Sequence, residues 1–195
     1  MAIVTADKGW FKVPGLRPKG DRTFEEQMMG LDLALAEAKG KTVLDLGCAE
    51  ALISREFAKA GARHVVGIEL LASHLEVARV VCKGLPVRFI TAHLGDYAAR
   101  HPAPEQFDIV LALGIIHKLH DPSVAMAWAA KSCRDLLCFR APAKKDKACN
   151  GDYLVKSKFG NARCNVPATM RSLGFVDEGT HNGVRGESVQ YWRRK

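Results

Sequence analysis

Asp45 and Glu69 stand 24 residues apart, each near the end of a short apolar run, "TVLDL" and "VVGIE", and the first run leads into Gly47, Cys48 and Ala49. A strand that ends in an acid, followed by a turn of small residues and a helix start, brings backbone N–H groups close to a ligand. An acid at the end of the next strand accepts hydrogen bonds from both hydroxyls of a ribose. Asp45, Gly47, Cys48, Ala49, Glu69 and Leu70 are therefore the candidate contacts of an adenosine-containing cofactor. A dinucleotide site would share the acid but normally asks for G-x-G-x-x-G, so that the pyrophosphate sits against the helix N-terminus. Here the turn reads Gly47-Cys48-Ala49-Glu50-Ala51. Glu50 is expected to repel a pyrophosphate and to tolerate a sulfonium and an amino group, so the turn favours S-adenosylmethionine over NAD.

A second set of reactive residues follows the run "FDIVLALG" over 107–114, whose last residues, Leu113 and Gly114, are further cofactor candidates. His117 lies just beyond it, and a neutral imidazole with an ordinary pKa near ~6.5 can take a proton from a hydroxyl or amine. Lys118 and His120 are placed to orient an anionic acceptor. Asp121-Pro122 reads as a helix N-cap with a first-turn proline.

Positioning these residues requires alternating strands and helices. The pattern predicts strands over 42–46, 64–70, 86–90, 107–114 and 134–140, with helices near 50–60, 72–83 and 122–132. Such alternation specifies a mostly parallel sheet with helices on both faces. Before it, "TFEEQMMGLDLALAEAKG" has the spacing of one helix, with Thr23 as N-cap and Gly40 as stop. Residues 1–22 read as an irregular arm and 141–163 as a mobile loop on the substrate side. A short helix near 167–173 and a terminal hairpin around "HNGVRG" complete the chain.

The 195 residues are about the size of one domain, and 48% apolar composition supplies a core. No run approaches the roughly 18 apolar residues of a membrane helix, and the start lacks the pattern of a signal peptide, so a cytoplasmic protein is expected. Cys48, Cys82, Cys133, Cys138, Cys149 and Cys164 show neither C-x-x-C pairing nor matching histidine spacing, which argues for reduced core thiols and no metal. A net charge of +8, concentrated in 8–22, 140–163 and the tail "YWRRK", favours an anionic partner.

"VLDLGCAEALIS", the acid in "VVGIEL" and "FDIVLALGIIHKLHDP" together resemble the motifs of the class I S-adenosylmethionine-dependent methyltransferases over about residues 8–141. The "DP" ending and the arm "GWFKVPGLRPKGDRTFEEQ" are similar to the branch containing the tRNA wobble-uridine methyltransferases. The resemblance implies a Rossmann-like seven-stranded sheet with an antiparallel last strand, S-adenosyl-L-methionine as donor, and Asp96 as an adenine contact. It implies substrate-facing roles for His117 and Lys118, where that branch often has Tyr-His, and it places Ala51 where the family often has Gly. The acceptor expected is a small molecule with an oxygen or nitrogen nucleophile, with tRNA as the alternative. A catalytically silent cofactor-binding partner protein is the reading from another class.

Overall fold

A computed structural model describes residues 9–102, 104–142 and 154–195 of the chain. In order, the elements are β1 (Gly9–Phe11), β2 (Gly20–Arg22), α1 (Phe24–Met28), α2 (Asp32–Ala36), β3 (Thr42–Leu46), α3 (Leu52–Lys59), β4 (His64–Glu69), α4 (Ala72–Val81) and β5 (Val87–Thr91). They continue as α5 (Leu94–Arg100), β6 (Phe107–Leu113), α6 (Pro122–Ser132), β7 (Cys133–Ala141), β8 (Leu154–Lys156), β9 (Arg163–Asn165), α7 (Val166–Ser172), β10 (Phe175–Asn182) and β11 (Ser188–Arg194).

Seven strands form one sheet in the order β5-β4-β3-β6-β7-β11-β10. The first five are parallel, and β11 runs antiparallel to both of its neighbours, as expected. The near-continuous apolar runs are buried on both faces: Val43, Leu44 and Leu46 in β3, and Ile109, Val110, Leu111 and Ala112 in β6. Two core clusters lie one on each side of the sheet, which is why these strands do not alternate polar and apolar. From β3 the chain winds outward to β4 and β5, then returns to β6 on the other side of β3. The loops leaving β3 and β6 therefore diverge and open a crevice at the carboxyl ends of the strands.

Four expectations are corrected. The arm is ordered from Gly9 onward: β1 pairs with β2, Val13 bridges to Arg17, and Phe11, Val13 and Leu16 are buried. The predicted helix over 23–40 keeps its Thr23 capping box but is split into α1 and α2 at Gly30, whose φ is +76°. The split is held from far away in sequence. Arg140 donates to the carbonyls of Gln27 (2.6 Å) and Met29 (3.1 Å), and the Tyr191 hydroxyl donates to that of Gly30. Within the predicted loop 141–163, β8 and β9 form an antiparallel pair, while 143–153 lie outside the described residues. Helix α5 was not anticipated as an element.

Cys48, Cys82, Cys133, Cys138 and Cys164 are free and buried in the core, and Cys149 lies outside the described residues. Asp121 caps α6 through the N–H groups of Ser123 and Val124, with Pro122 in the first turn. Among the described residues no helix is long and apolar enough to cross a membrane.

Candidate functional site

The turn after β3 is tightly wound. Gly47, Ala49 and Ala51 all have positive φ, at +72°, +49° and +58°. Gly47 needs this freedom twice, because a Cβ there would also lie 3.0 Å from the Ile115 side chain. Ala51 sits in the left-handed region that glycine occupies at lower cost, which gives a physical reason for glycine being common at that position in the resembling family. The Gly47 and Cys48 N–H groups donate to the Ile68 carbonyl at 2.8 and 3.1 Å, tying the turn to the end of β4. Glu69 adds a second tie: its carboxylate accepts from the Ala49 N–H (3.0 Å) and from the Leu71 N–H (2.9 Å). Burial pushes the Glu69 pKa up, but these N–H donors and the neighbouring His74 outweigh it, and the group is held below its ordinary value. Glu69 is ionised at neutral pH.

Glu50 has a different role from the one predicted. It is fully buried, faces the arm and does not line the cavity. Arg17, itself 1% exposed, donates to it at 2.9 Å, and the N–H groups of Trp10 and Phe11 donate at 3.1 and 2.9 Å. Arg17 also donates to the Ser73 carbonyl at 3.0 Å, reaching the start of α4. Gly9 makes the approach possible, since a Cβ there would overlap the Glu50 carboxylate and Arg17 Cδ. His74 stands between the two acids, 3.7 Å from a carboxylate oxygen of Glu50 and 3.7 Å from one of Glu69. The argument that Glu50 selects the donor by repelling phosphate therefore fails, and the residue instead clasps the arm to the turn.

A cavity of about 410 Å³ occupies the crevice. Gly47, Ala49, Glu69, Leu70, Leu113, Gly114, Lys118 and His120 line it, so eight of the sequence candidates converge there. Asp45, Cys48, Asp96 and His117 do not line it. Asp45 is buried in β3 and accepts from the Ser54 hydroxyl at 2.6 Å, and burial above all pushes its pKa up to about 6. Cys48 packs its sulfur over Gly67, where a Cβ would lie 2.6 Å from Sγ. Asp96 is in the first turn of α5, largely exposed, 3.4 Å from His93 Nδ1.

Trp10, His74, His93 and Phe159 also line the cavity and were not anticipated. For Trp10 a signal existed, an aromatic residue inside a basic arm. His93 and Phe159 carried none, because the β5–α5 connection and the β8–β9 hairpin bring them in from regions with no readable pattern.

A smaller cavity of about 150 Å³ adjoins the first, sharing Trp10, Leu113, Gly114 and Lys118 with it. His117 lines this second space and is buried at 7% exposure. Lys118 Nζ lies 4.1 Å from the centre of the Trp10 ring, so this cation–π pair stands where the two cavities meet. Burial, and then Lys158, push the Lys118 pKa down.

A family model described as a methyltransferase domain matches residues 43–137. The ubiquinone biosynthesis O-methyltransferase of Aromatoleum aromaticum is 37% identical over 97 residues, 49% of this chain and 40% of the relative. That of Pseudoalteromonas translucida is 31% identical over 147 residues, covering 73% of this chain and 55% of the relative. The chain thus matches only about half, or less, of the length of the curated relatives. Among solved structures, magnesium protoporphyrin IX methyltransferase from Synechocystis PCC 6803 with bound S-adenosylmethionine superposes with a TM-score of 0.63 at 18% identity, covering 88% of this chain and 80% of that one. The fold is that of this solved methyltransferase, and the stretch that matches the methyltransferase-domain model runs over residues 43–137.

Proposed function

We propose that the chain is an S-adenosylmethionine-dependent methyltransferase that methylates an oxygen of a small acceptor. The observation that carries this reading is Glu69, an ionised acid at the rim of the crevice where the strand order reverses, beside a tight glycine turn. The domain match and the curated relatives' names support the reaction class and an oxygen acceptor.

In this reading Glu69 receives the ribose hydroxyls, and the turn at Gly47 leaves room beside Ile115 for the methionine portion. Leu70, Leu113 and Leu94 supply apolar walls. An acceptor oxygen attacks the sulfonium methyl in line: the C–O bond forms as the C–S bond breaks, its electron pair leaves the sulfur as a neutral thioether, and the acceptor's proton departs. Holding the reactants in line at about 3–3.5 Å supplies most of the acceleration. His117, on the acceptor side of the Trp10–Lys118 pair, takes the proton. Replacing His117 with Ala should leave donor affinity intact and cut turnover by roughly 10²–10⁴-fold. Turnover within about threefold of the parent would return His117 to packing.

The net charge of +8 and the resemblance of the arm make tRNA the second acceptor to test. Labelled S-adenosylmethionine incubated with metabolite extracts and with tRNA, followed by mass spectrometry, decides between them. Label in a small product supports the proposal, label in tRNA moves the acceptor to RNA, and no donor turnover with either leaves a silent binding protein.

A further inference from the structure

Among the described residues, the smaller cavity is lined by four cationic side chains, Arg22, Arg140, Lys118 and Lys158, and by one carboxylate, Glu187. His117 is the remaining titratable group on its wall. Two of the cations on its wall carry buried donors without hydrogen-bond partners. Arg140 is 2% exposed, spends its terminal nitrogens on Gln27 and Met29, and keeps a buried Nε with no hydrogen-bond partner. Arg22 donates through Nη2 to Glu187 at 2.6 Å and leaves Nη1 buried without a partner. Glu187 has a buried, unpartnered Oε2 of its own. Buried guanidinium donors without partners are costly, and a carboxylate or phosphate fits their fork geometry. Among the described residues on the wall, Glu187 is the one carboxylate, and it meets Arg22 through one contact at 2.6 Å.

Resting on the methyltransferase reading, we infer that this chamber is the acceptor subsite and that it selects a small acceptor carrying an anionic group, a carboxylate or a phosphate. The anion sits against the guanidinium groups of Arg22 and Arg140, with Lys118 beside it. Its hydroxyl reaches toward the larger cavity past the Trp10–Lys118 pair, which places the accepting oxygen beside His117 and in line with the donor methyl. Glu187 occupies part of the anion's place on Arg22, and so sets a threshold that a neutral acceptor does not cross.

The test uses the full chain saturated with S-adenosylhomocysteine and titrated by calorimetry, at constant ionic strength, with benzoate, phenyl phosphate and the neutral benzamide. Benzoate or phenyl phosphate should bind at least about tenfold tighter than benzamide, as one added charge-assisted contact requires. The tighter of the two anions identifies the acceptor's group. Arg22→Gln should erase most of that preference, Glu187→Gln should increase it several-fold, and Arg134→Gln, which removes a cation paired to Asp108 near the opposite ends of β6 and β7, should leave it unchanged. Thermal melting establishes that each variant is folded, and if Arg22→Gln is not, the Glu187→Gln result decides. Equal binding of benzoate and benzamide, or a preference that folded Arg22→Gln retains, overturns the inference. So does competition between benzoate and S-adenosylhomocysteine, which would give the chamber to the donor. Failure of S-adenosylhomocysteine itself to bind would instead sink the methyltransferase reading, and is read separately.

Discussion

Two charge clusters sit at opposite edges of the sheet and are built on opposite principles. At the carboxyl edge, Glu50 and Arg17 are a fully buried pair, further satisfied by two backbone N–H groups of the arm. At the amino edge, Arg193 joins Glu37, Asp135 and Glu178 at 2.8–3.0 Å, with every side chain between 23% and 32% exposed. Three carboxylates around Arg193 push its pKa up; Arg193 holds that of Glu37 down and, against burial and with Lys41, that of Asp135, yet solvent screens all of them. The buried pair is a single contact whose loss strands a charge, whereas the exposed network can lose a member and rehydrate. The clasp therefore belongs where the arm must hold one position over the cavity, and the network where several elements only need to be tacked together.

The largest expected effect breaks the first cluster. Glu50→Ala removes the counter-charge of buried Arg17 and the acceptor of two N–H groups, and should destabilise the chain by about 3–5 kcal/mol in urea unfolding. A loss under about 1 kcal/mol would mean that the arm detaches without consequence for the core.

Next is the pH dependence of Asp45, which shares the carboxyl edge with the clasp. Its pKa, raised mainly by burial to about 6, makes the neutral form the one that suits the fold. That contribution is fully present below about pH 4, where the unfolded chain also holds the proton, and is lost as the pH rises through about 6. Asp45→Asn cannot ionise, so its stability relative to the parent should grow by roughly 2–3 kcal/mol between pH 4 and pH 7. A flat difference would show that the Ser54 hydrogen bond already stabilises the charge.

The smallest effect is at the other edge: Arg193→Ala should cost only about 0.5–1 kcal/mol and should fade further in high salt. A loss as large as that of Glu50→Ala would erase the contrast.

Much of the frame was legible because it is local. The apolar runs of β3, β4 and β6 and the turn chemistry of the terminal hairpin each specify one element. The capping boxes and N-caps at Thr23 and Asp121 were readable for the same reason, since their partners lie within three residues. What was not legible depends on distant partners. The break at Gly30 is held by Arg140 and Tyr191, more than 100 residues away, which override an unbroken helical pattern. Glu50 looked like a ligand-facing acid because its partners, Trp10, Phe11 and Arg17, belong to a stretch whose glycines and prolines read as irregular. His117 was placed at the correct sheet edge, but the 3-10 turn over Ile116–Lys118 carries it into the second cavity rather than the first.

The central claim is that the larger cavity is a donor site organised by Glu69, and calorimetric titration of S-adenosylhomocysteine into the parent and into Glu69→Ala tests it most directly. The parent should bind, and the variant, still folded, should bind more weakly by about 1.5–3 kcal/mol, the worth of hydrogen bonds to a charged group. Equal affinity in the two proteins, or tighter binding of NAD than of S-adenosylhomocysteine by the parent, would contradict it.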